Sequence, residues 1–202
     1  MGWICEYERF DGSFPEWMEQ NEDWFLPKNH AYVGKPHFAA ASCGTGGNTV
    51  CYRAVRNLET GETWALIILL RKEDGAVCYK DMDETMGPAE SECPNRILDL
   101  LTPTEHEYAQ EWRARCRRHN ARIAAARSLK DGVKIRFAEP VRFSCGSADT
   151  FTVRKVGGKV RFSAWFESAG ATLLCRITNW RRMDWEIVGA PAVTAAVQPA
   201  LF

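Results

Sequence analysis

Apolar and polar positions alternate with turn residues from residue 35 to residue 82 in a pattern typical of strands. The predicted strands span 35–43, 49–57, 63–73 and 76–82, and the Asp74-Gly75 pair between the last two is a strong hairpin signal. We therefore expect an antiparallel meander of about four strands. Its run Ile67 to Leu70 is apolar throughout, which indicates a central strand covered on both faces. A first helix is predicted before the meander, around Pro15 to Asp23.

Beyond the meander the hydrophobic period changes to that of helices. One helix is predicted near 89–101, and a longer one begins at Thr104, with Glu107 completing a capping box. Tyr108, Trp112 and Cys116 follow at a spacing of four, which predicts one apolar stripe. The long helix is strongly basic from Arg113 to Lys130 and contains no acidic residue there.

After Asp131-Gly132 the pattern returns to short strands, at 133–143, 149–156, 159–166, 171–180 and 184–189, with a tight turn at Gly157-Gly158. Such a series predicts a small SH3-like β-barrel, and the fold class is α+β. The predicted organisation is listed in chain order: 1–103, antiparallel sheet plus helices; 104–130, long basic connecting helix; 131–192, small β-barrel; 193–202, loose tail.

Composition places the chain among soluble globular proteins. It has 202 residues, of which 46% are hydrophobic and 26% charged. The longest apolar run, Trp64 to Leu70, is far below the roughly 18 residues that cross a bilayer, and the N-terminus lacks the features of a signal peptide. The eight cysteines form no C-x-x-C pair, so we expect reduced, mostly buried thiols in a cytoplasmic protein that has no membrane partner.

Charge is distributed unevenly along the chain, although its net value is zero. Residues 1–111 carry 9 basic and 20 acidic side chains, whereas residues 112–202 carry 17 basic and 6 acidic ones. Either the two halves attract each other, within the fold or in a homo-oligomer, or the basic half faces a polyanion.

An acidic block, "YKDMDETMGPAESECP" from residue 79 to residue 94, is a candidate metal site. Asp81 and Asp83 share a face if they lie on a strand, and Glu84 could complete an oxygen-rich magnesium site. The structural alternative is an acidic turn at Gly87-Pro88 that leads into a helix N-terminus.

Two basic segments are candidate contact surfaces for nucleic acid. The helix presents Arg113, Arg117, Arg118 and Arg122, and their density suits phosphate neutralisation. The segment 177–187 places Trp180, Arg181 and Arg182 together, a combination that suits single-stranded nucleic acid or a protein hot spot. The alternatives are a solvated helix face paired with the acidic half, and tryptophans that close the barrel core.

The acidic block also carries a family resemblance, together with Cys93-Pro94, the run Ile97 to Leu101, "TPT" at 102–104 and the Trp112 to Cys116 helix. With its Met-Gly-Trp start, the chain resembles an uncharacterised family of small proteins carried by phages, plasmids and integrative conjugative elements. The resemblance implies cytoplasmic accessory cargo, of the kind that includes anti-CRISPR and anti-restriction proteins. It assigns no catalytic residue.

Together these features predict a non-enzymatic accessory protein of a mobile element. We expect it to bind nucleic acid or a nucleic-acid-handling host-defence complex, as an anti-CRISPR-like inhibitor would, and to need no cofactor. The alternative is a metal-dependent nuclease or phosphodiesterase that uses Asp81, Asp83 and Glu84.

Overall fold

A computed structural model describes residues 2–41, 47–178 and 180–188. The fold is mixed α+β and the chain divides into two compact units, residues 1–121 and 122–202. The division lies inside the long helix, whereas the sequence predicts that helix as a separate connecting segment. The predicted tail at 193–202 lies outside the described residues.

In the described residues, the first unit contains a five-stranded antiparallel sheet with the order β1-β5-β4-β3-β2. Its strands are β1 (Ile4–Arg9), β2 (His30–Ala40), β3 (Thr49–Asn57), β4 (Thr63–Glu73) and β5 (Ala76–Asp83). Its helices are α1 (Phe14–Gln20), α2 (Asn95–Leu98) and α3 (Glu107–Ser128), the last of which continues into the second unit.

Strand β4 lies at the centre of this sheet, as its apolar run predicts, and is buried on both faces. Ile67 belongs to a core that includes Trp112 of α3, on one face. Ile68 belongs to the opposite core, with Trp17 of α1. The strand therefore contributes side chains to a hydrophobic core on each face of the sheet. This is why its sequence is apolar throughout and does not alternate between apolar and polar residues.

The hairpin turns follow the glycine signals. Asp74 and Gly75 both have positive φ, 53° and 84°, between β4 and β5, and Gly157 and Gly158 have φ of 56° and 73° in the second unit. Positive φ at both central residues is what a type I′ turn requires.

Strand β1 is absent from the sequence prediction, and it corrects the expectation that the cysteines are reduced. Cys5 on β1 lies directly opposite Cys78 on β5, and the two form a disulfide. The other half of that expectation is confirmed for four cysteines, which are free and buried: Cys51, Cys93, Cys116 and Cys175.

Two of the predicted helices are shorter than expected. The helix predicted near 89–101 is reduced to α2, because Pro94 disfavours helical backbone at the residue before it. Helix α3 begins at Glu107 rather than at Thr104, whose hydroxyl accepts the His106 N–H at 3.2 Å. The predicted capping box is therefore wrong.

The predicted apolar stripe of α3 is correct in two of its three members. Trp112 and Cys116 are fully buried, whereas Tyr108 is 60% exposed, and Ala109 is buried in its place.

The second unit contains, in its described residues, a five-stranded antiparallel sheet with the order β10-β6-β7-β8-β9. Its strands are β6 (Lys134–Phe143), β7 (Gly146–Val156), β8 (Lys159–Phe166), β9 (Ala171–Cys175) and β10 (Trp185–Ile187). Strands β9 and β10 are its edges, so the sheet is open and the predicted barrel is not confirmed. One face packs on a core of phenylalanines together with Ala126 and Leu129.

No described helix combines the length and the apolar composition that crossing a membrane requires.

Burial determines which thiols can react. It raises the pKa of Cys51 and of Cys116 to about 12, because an apolar interior disfavours the thiolate. We expect iodoacetamide to alkylate the half-buried Cys145 in the folded protein at least about tenfold faster than these two thiols. Raising the solution from about pH 7 to about pH 9 leaves them protonated and unreactive. Peptide mass mapping measures the rates, and labelling in denaturant is the control. Equal rates at Cys51 and Cys145 in the folded protein would contradict this packing.

Candidate functional site

The acidic block forms a structured turn at the end of β5. Asp83 accepts hydrogen bonds from the Thr85 N–H at 2.7 Å and from the Thr85 hydroxyl, and so caps a 3₁₀ helix, Glu84–Met86. Gly87 ends that helix with a φ of 64°, in the left-handed region that glycine adopts without strain. The predicted turn at Gly87-Pro88 is therefore present, and Asp83 is bonded within it.

Glu84 is buried, with only 1% of the residue exposed, and forms an ion pair with Arg113 of α3. The Arg113 Nε and Nη2 atoms donate to the two carboxylate oxygens at 2.6 Å each, and the Ala65 N–H donates to Oε1 at 3.2 Å. A third Arg113 donor bonds the Thr102 carbonyl at 2.7 Å. These bonds use three of the five Arg113 N–H donors and pair its charge with a buried carboxylate, so a partner contact through this residue would have to compete with an internal ion pair.

The acidic block does not gather ligands for a metal. Among the described residues, Cys5, Glu73 and Cys78 are the one set of three potential ligands whose atoms lie within 4.8 Å of one another. The carboxylates of Asp81, Asp83 and Glu84 are therefore not grouped at that spacing. The Cys5 and Cys78 sulfurs are joined in a disulfide, which makes them poor thiolate ligands.

A cavity of about 270 Å³ lies beside the ion pair, between Thr63, Asp83 and Thr102. Part of its polar lining is already bonded within the protein. The Thr102 hydroxyl accepts the Thr63 N–H at 2.9 Å, and the Thr63 hydroxyl accepts from Arg56 at 3.1 Å.

Three other basic residues of α3 also have partners in the protein. Arg115 donates to the Pro88 carbonyl, Arg117 lies 3.0 Å from Asp99, and Arg122 pairs with Asp184. Arg118 is exposed. The helix is therefore partly neutralised by acidic groups, as the alternative interpretation of its charge predicts.

Trp180 lies in the core, contrary to its predicted role in binding. Residues Trp180–Arg182 form a 3₁₀ helix rather than part of a strand, and Trp180 is 6% exposed. Its ring packs on Phe162 and Trp185 at centroid distances of 5.2 and 5.8 Å. Arg181 is exposed and places its guanidinium 4.9 Å from the Trp180 ring centroid. The side chain of Arg182 lies outside the described part of the chain.

A different surface of the second unit combines cations with an exposed aromatic ring. Phe162 and Ala164 of β8 point into the core, so Arg161, Ser163 and Trp165 point to the opposite side. The cross-strand register extends this side over β6, β7, β9 and β10. We call it the outer face; it consists of Lys134, Arg136, Thr150, Thr152, Arg154, Val156, Lys159, Arg161, Ser163, Trp165, Thr172, Leu174 and Glu186.

The outer face is positively charged. Five of its thirteen residues are basic and one, Glu186, is acidic, and residues 122–202 carry 13 basic and 6 acidic side chains. Arg154 and Arg161 lie directly opposite each other on β7 and β8. Two acids lie near its cations: Asp131 lies 3.5 Å from Arg154, and Glu186, opposite Arg136 on the edge strand β10, lies 3.9 Å from it.

Trp165 is the largest exposed side chain on the outer face, at 61%. It lies opposite Thr172 on β9, and Leu174, 54% exposed, is its apolar neighbour on that strand. Trp165 is not among the contact residues predicted from the sequence. The signal for it is the period of two in "KVRFSAWF", in which Phe162, Ala164 and Phe166 mark the core side and leave Trp165 on the other.

Comparison with known proteins gives one match. Residues 103–180, less than half of the chain, match a family described as "Domain of unknown function (DUF6927)". That stretch begins four residues before α3, ends at Trp180 and contains every residue of the outer face except Glu186. No curated protein and no solved structure matches the chain.

The buried ion pair predicts different effects for two arginines on one helix. We expect Arg113→Ala to lower the free energy of unfolding by about 3 kcal/mol, because it leaves the Glu84 carboxylate buried without its partner. Arg118→Ala, the matched control on the exposed side, should change it by less than about 0.5 kcal/mol. Urea denaturation followed by circular dichroism measures both. The role assigned to the pair fails if the two variants unfold at the same urea concentration.

Proposed function

We propose that this chain is a non-enzymatic nucleic-acid-binding protein and that it binds through the outer face of its second sheet. The observation that carries the proposal is the composition of that face: five cations, four hydroxyl side chains and a single acid, Glu186. Phosphate oxygens are bound in proteins mainly by Arg, Lys, Ser and Thr donors. The exposed part of this sheet offers those donors from neighbouring strands.

The pattern of ion pairs favours the outer face over α3 as the contact surface. In α3, Arg113, Arg117 and Arg122 have acidic partners, so a phosphate would have to displace them. On the outer face, Lys134 and Arg161 have no ion pair among the described residues. A phosphate can bind such cations without first breaking an ion pair within the protein. Contacts with them should therefore contribute more to binding than contacts with the paired arginines of α3.

We also propose that the second unit is an SH3-like barrel left open at one side. Three features support this: the strand order β10-β6-β7-β8-β9, the 3₁₀ helix Trp180–Arg182 directly before the last strand, and a single core enclosed by the sheet. Small barrels present one exposed sheet face to their ligands, which agrees with the use of the outer face.

The wider biological role rests on the sequence. The resemblance to proteins of phages, plasmids and conjugative elements supports an accessory role in such an element, in the cytoplasm. Inhibition of a nucleic-acid-handling host-defence complex, in the manner of an anti-CRISPR protein, is the form of that role we propose. A homo-oligomer joined through oppositely charged halves also stays a prediction.

The nuclease alternative has less support. Glu84, its third proposed ligand, is held by Arg113, and Asp83 accepts two hydrogen bonds from Thr85. A metal ion would have to break both arrangements.

Neutralisation of the outer face should weaken binding more than the same change on α3. We expect Lys134→Gln/Arg154→Gln/Arg161→Gln to lose at least about tenfold in affinity for nucleic acid and to flatten the salt dependence by about two in log–log slope. The matched control is Arg117→Gln/Arg118→Gln/Arg122→Gln, which removes equal charge from the helix. Fluorescence anisotropy with labelled oligonucleotides between about 50 and 200 mM salt measures both, and circular dichroism verifies folding.

Two results would overturn the proposal. One is an absence of nucleic-acid binding by the unmodified protein at low salt. The other is a loss in the helix variant with none in the outer-face variant, which would return the contact surface to α3.

A further inference from the structure

We propose that the outer face takes a single strand, with an unpaired base stacked on Trp165 and the phosphate backbone on the Arg154–Arg161 pair. This inference rests on the proposed function and specifies its ligand. It follows from three features of the face: an exposed indole, a like-charged pair across two strands, and their positions relative to each other.

The exposure of Trp165 is the first feature. The second unit buries Trp180 in its core, where the ring packs on Phe162, yet it leaves 61% of Trp165 in water. An exposed indole lacks the stabilisation that burial of its apolar surface would give. A flat ligand on the indole would recover it, and every nucleobase has such a face.

The Arg154–Arg161 pair is the second feature. Like charges directly opposite each other destabilise an antiparallel pair of strands. Asp131, at 3.5 Å from Arg154, reduces that repulsion from one side, and Arg161 donates to the Val160 carbonyl at 3.2 Å. A phosphate between the two guanidinium groups would remove the repulsion and bond both.

Their relative position is the third feature. Arg161 and Trp165 lie on the same side of β8, four residues apart, so their backbones are separated by roughly 13 Å. A strand crossing this distance can place phosphates at one end and an unstacked base at the other. In a duplex the bases are stacked inside the helix and present no face to an exposed indole, so Trp165 would have no role in binding it.

A protein partner is less well matched by this surface. The apolar part consists of Trp165, Leu174 and Val156, which are interspersed with hydroxyl and cationic side chains. Cores of protein interfaces are depleted in charged residues, whereas surfaces for single strands interleave aromatic rings with cations.

The experiment compares single-stranded DNA, single-stranded RNA and duplex DNA of one sequence, each of about 20 nucleotides, by anisotropy. We expect both single strands to bind more tightly than the duplex. Trp165→Ala should weaken single-strand binding about 5- to 100-fold and duplex binding less than about twofold. Trp165→Phe should retain most of the affinity, and Trp165→Leu, apolar but not aromatic, should lose it.

A second readout identifies stacking directly. Single strands should quench the tryptophan fluorescence of the unmodified protein, and the quenching should be largely lost in Trp165→Phe, although the other tryptophans are still present. Leu174→Ala, the neighbouring apolar control, should keep both affinity and quenching. A difference between the DNA and RNA arms would show which single strand the face prefers.

The results separate this inference from the proposed function. Equal affinity for duplex and single strands, with no effect of Trp165→Ala, overturns the single-strand inference and leaves nucleic-acid binding standing. Full affinity in Trp165→Leu overturns stacking. Absence of binding to all three probes overturns the proposed function itself.

Discussion

The buried carboxylate of Glu84 is the constraint on which much of the first unit depends. A carboxylate removed from water is costly unless it is paired and hydrogen-bonded, and here Arg113 and the Ala65 N–H supply that compensation. The pair joins the end of β5 to α3, and the third Arg113 donor fixes the segment that contains Thr102. The position of α3 on the sheet is therefore set by charge as well as by the packing of Trp112.

This use of charge accounts for the asymmetry along the chain. The acidic half holds arginines of α3 through Glu84 and Asp99, so part of the basic segment is neutralised within the first unit. The second unit keeps an excess of basic groups, 13 against 6, and its sheet exposes several of them. Of the two explanations for the asymmetry, attraction within the fold thus applies to α3, and a polyanion partner is the proposal for the outer face.

Local patterns predicted the strands well, because a strand and its flanking turns are recognised from residues that are adjacent in the sequence. The bounds of β3, β4 and β8 match the prediction, as do the turns at Asp74-Gly75 and Gly157-Gly158. Pairings between distant segments were not predictable in this way. The burial of Glu84 depends on an arginine 29 residues away, and the disulfide of Cys5 on a partner 73 residues away. Nothing in the sequence of the acidic block distinguishes Glu84 from an acidic residue that is exposed to solvent.

The contrast between Trp165 and Trp180 shows how position, rather than residue type, assigns a role. Trp180 follows β9 in a 3₁₀ helix that turns its ring into the core, so little of the ring is left exposed for a ligand. Trp165 lies within β8, where alternation directs it away from Phe162 and Phe166. Each strand of this sheet therefore separates two tasks. Its inward residues hold the unit together, and its outward residues can carry charge and an exposed ring without disturbing that core.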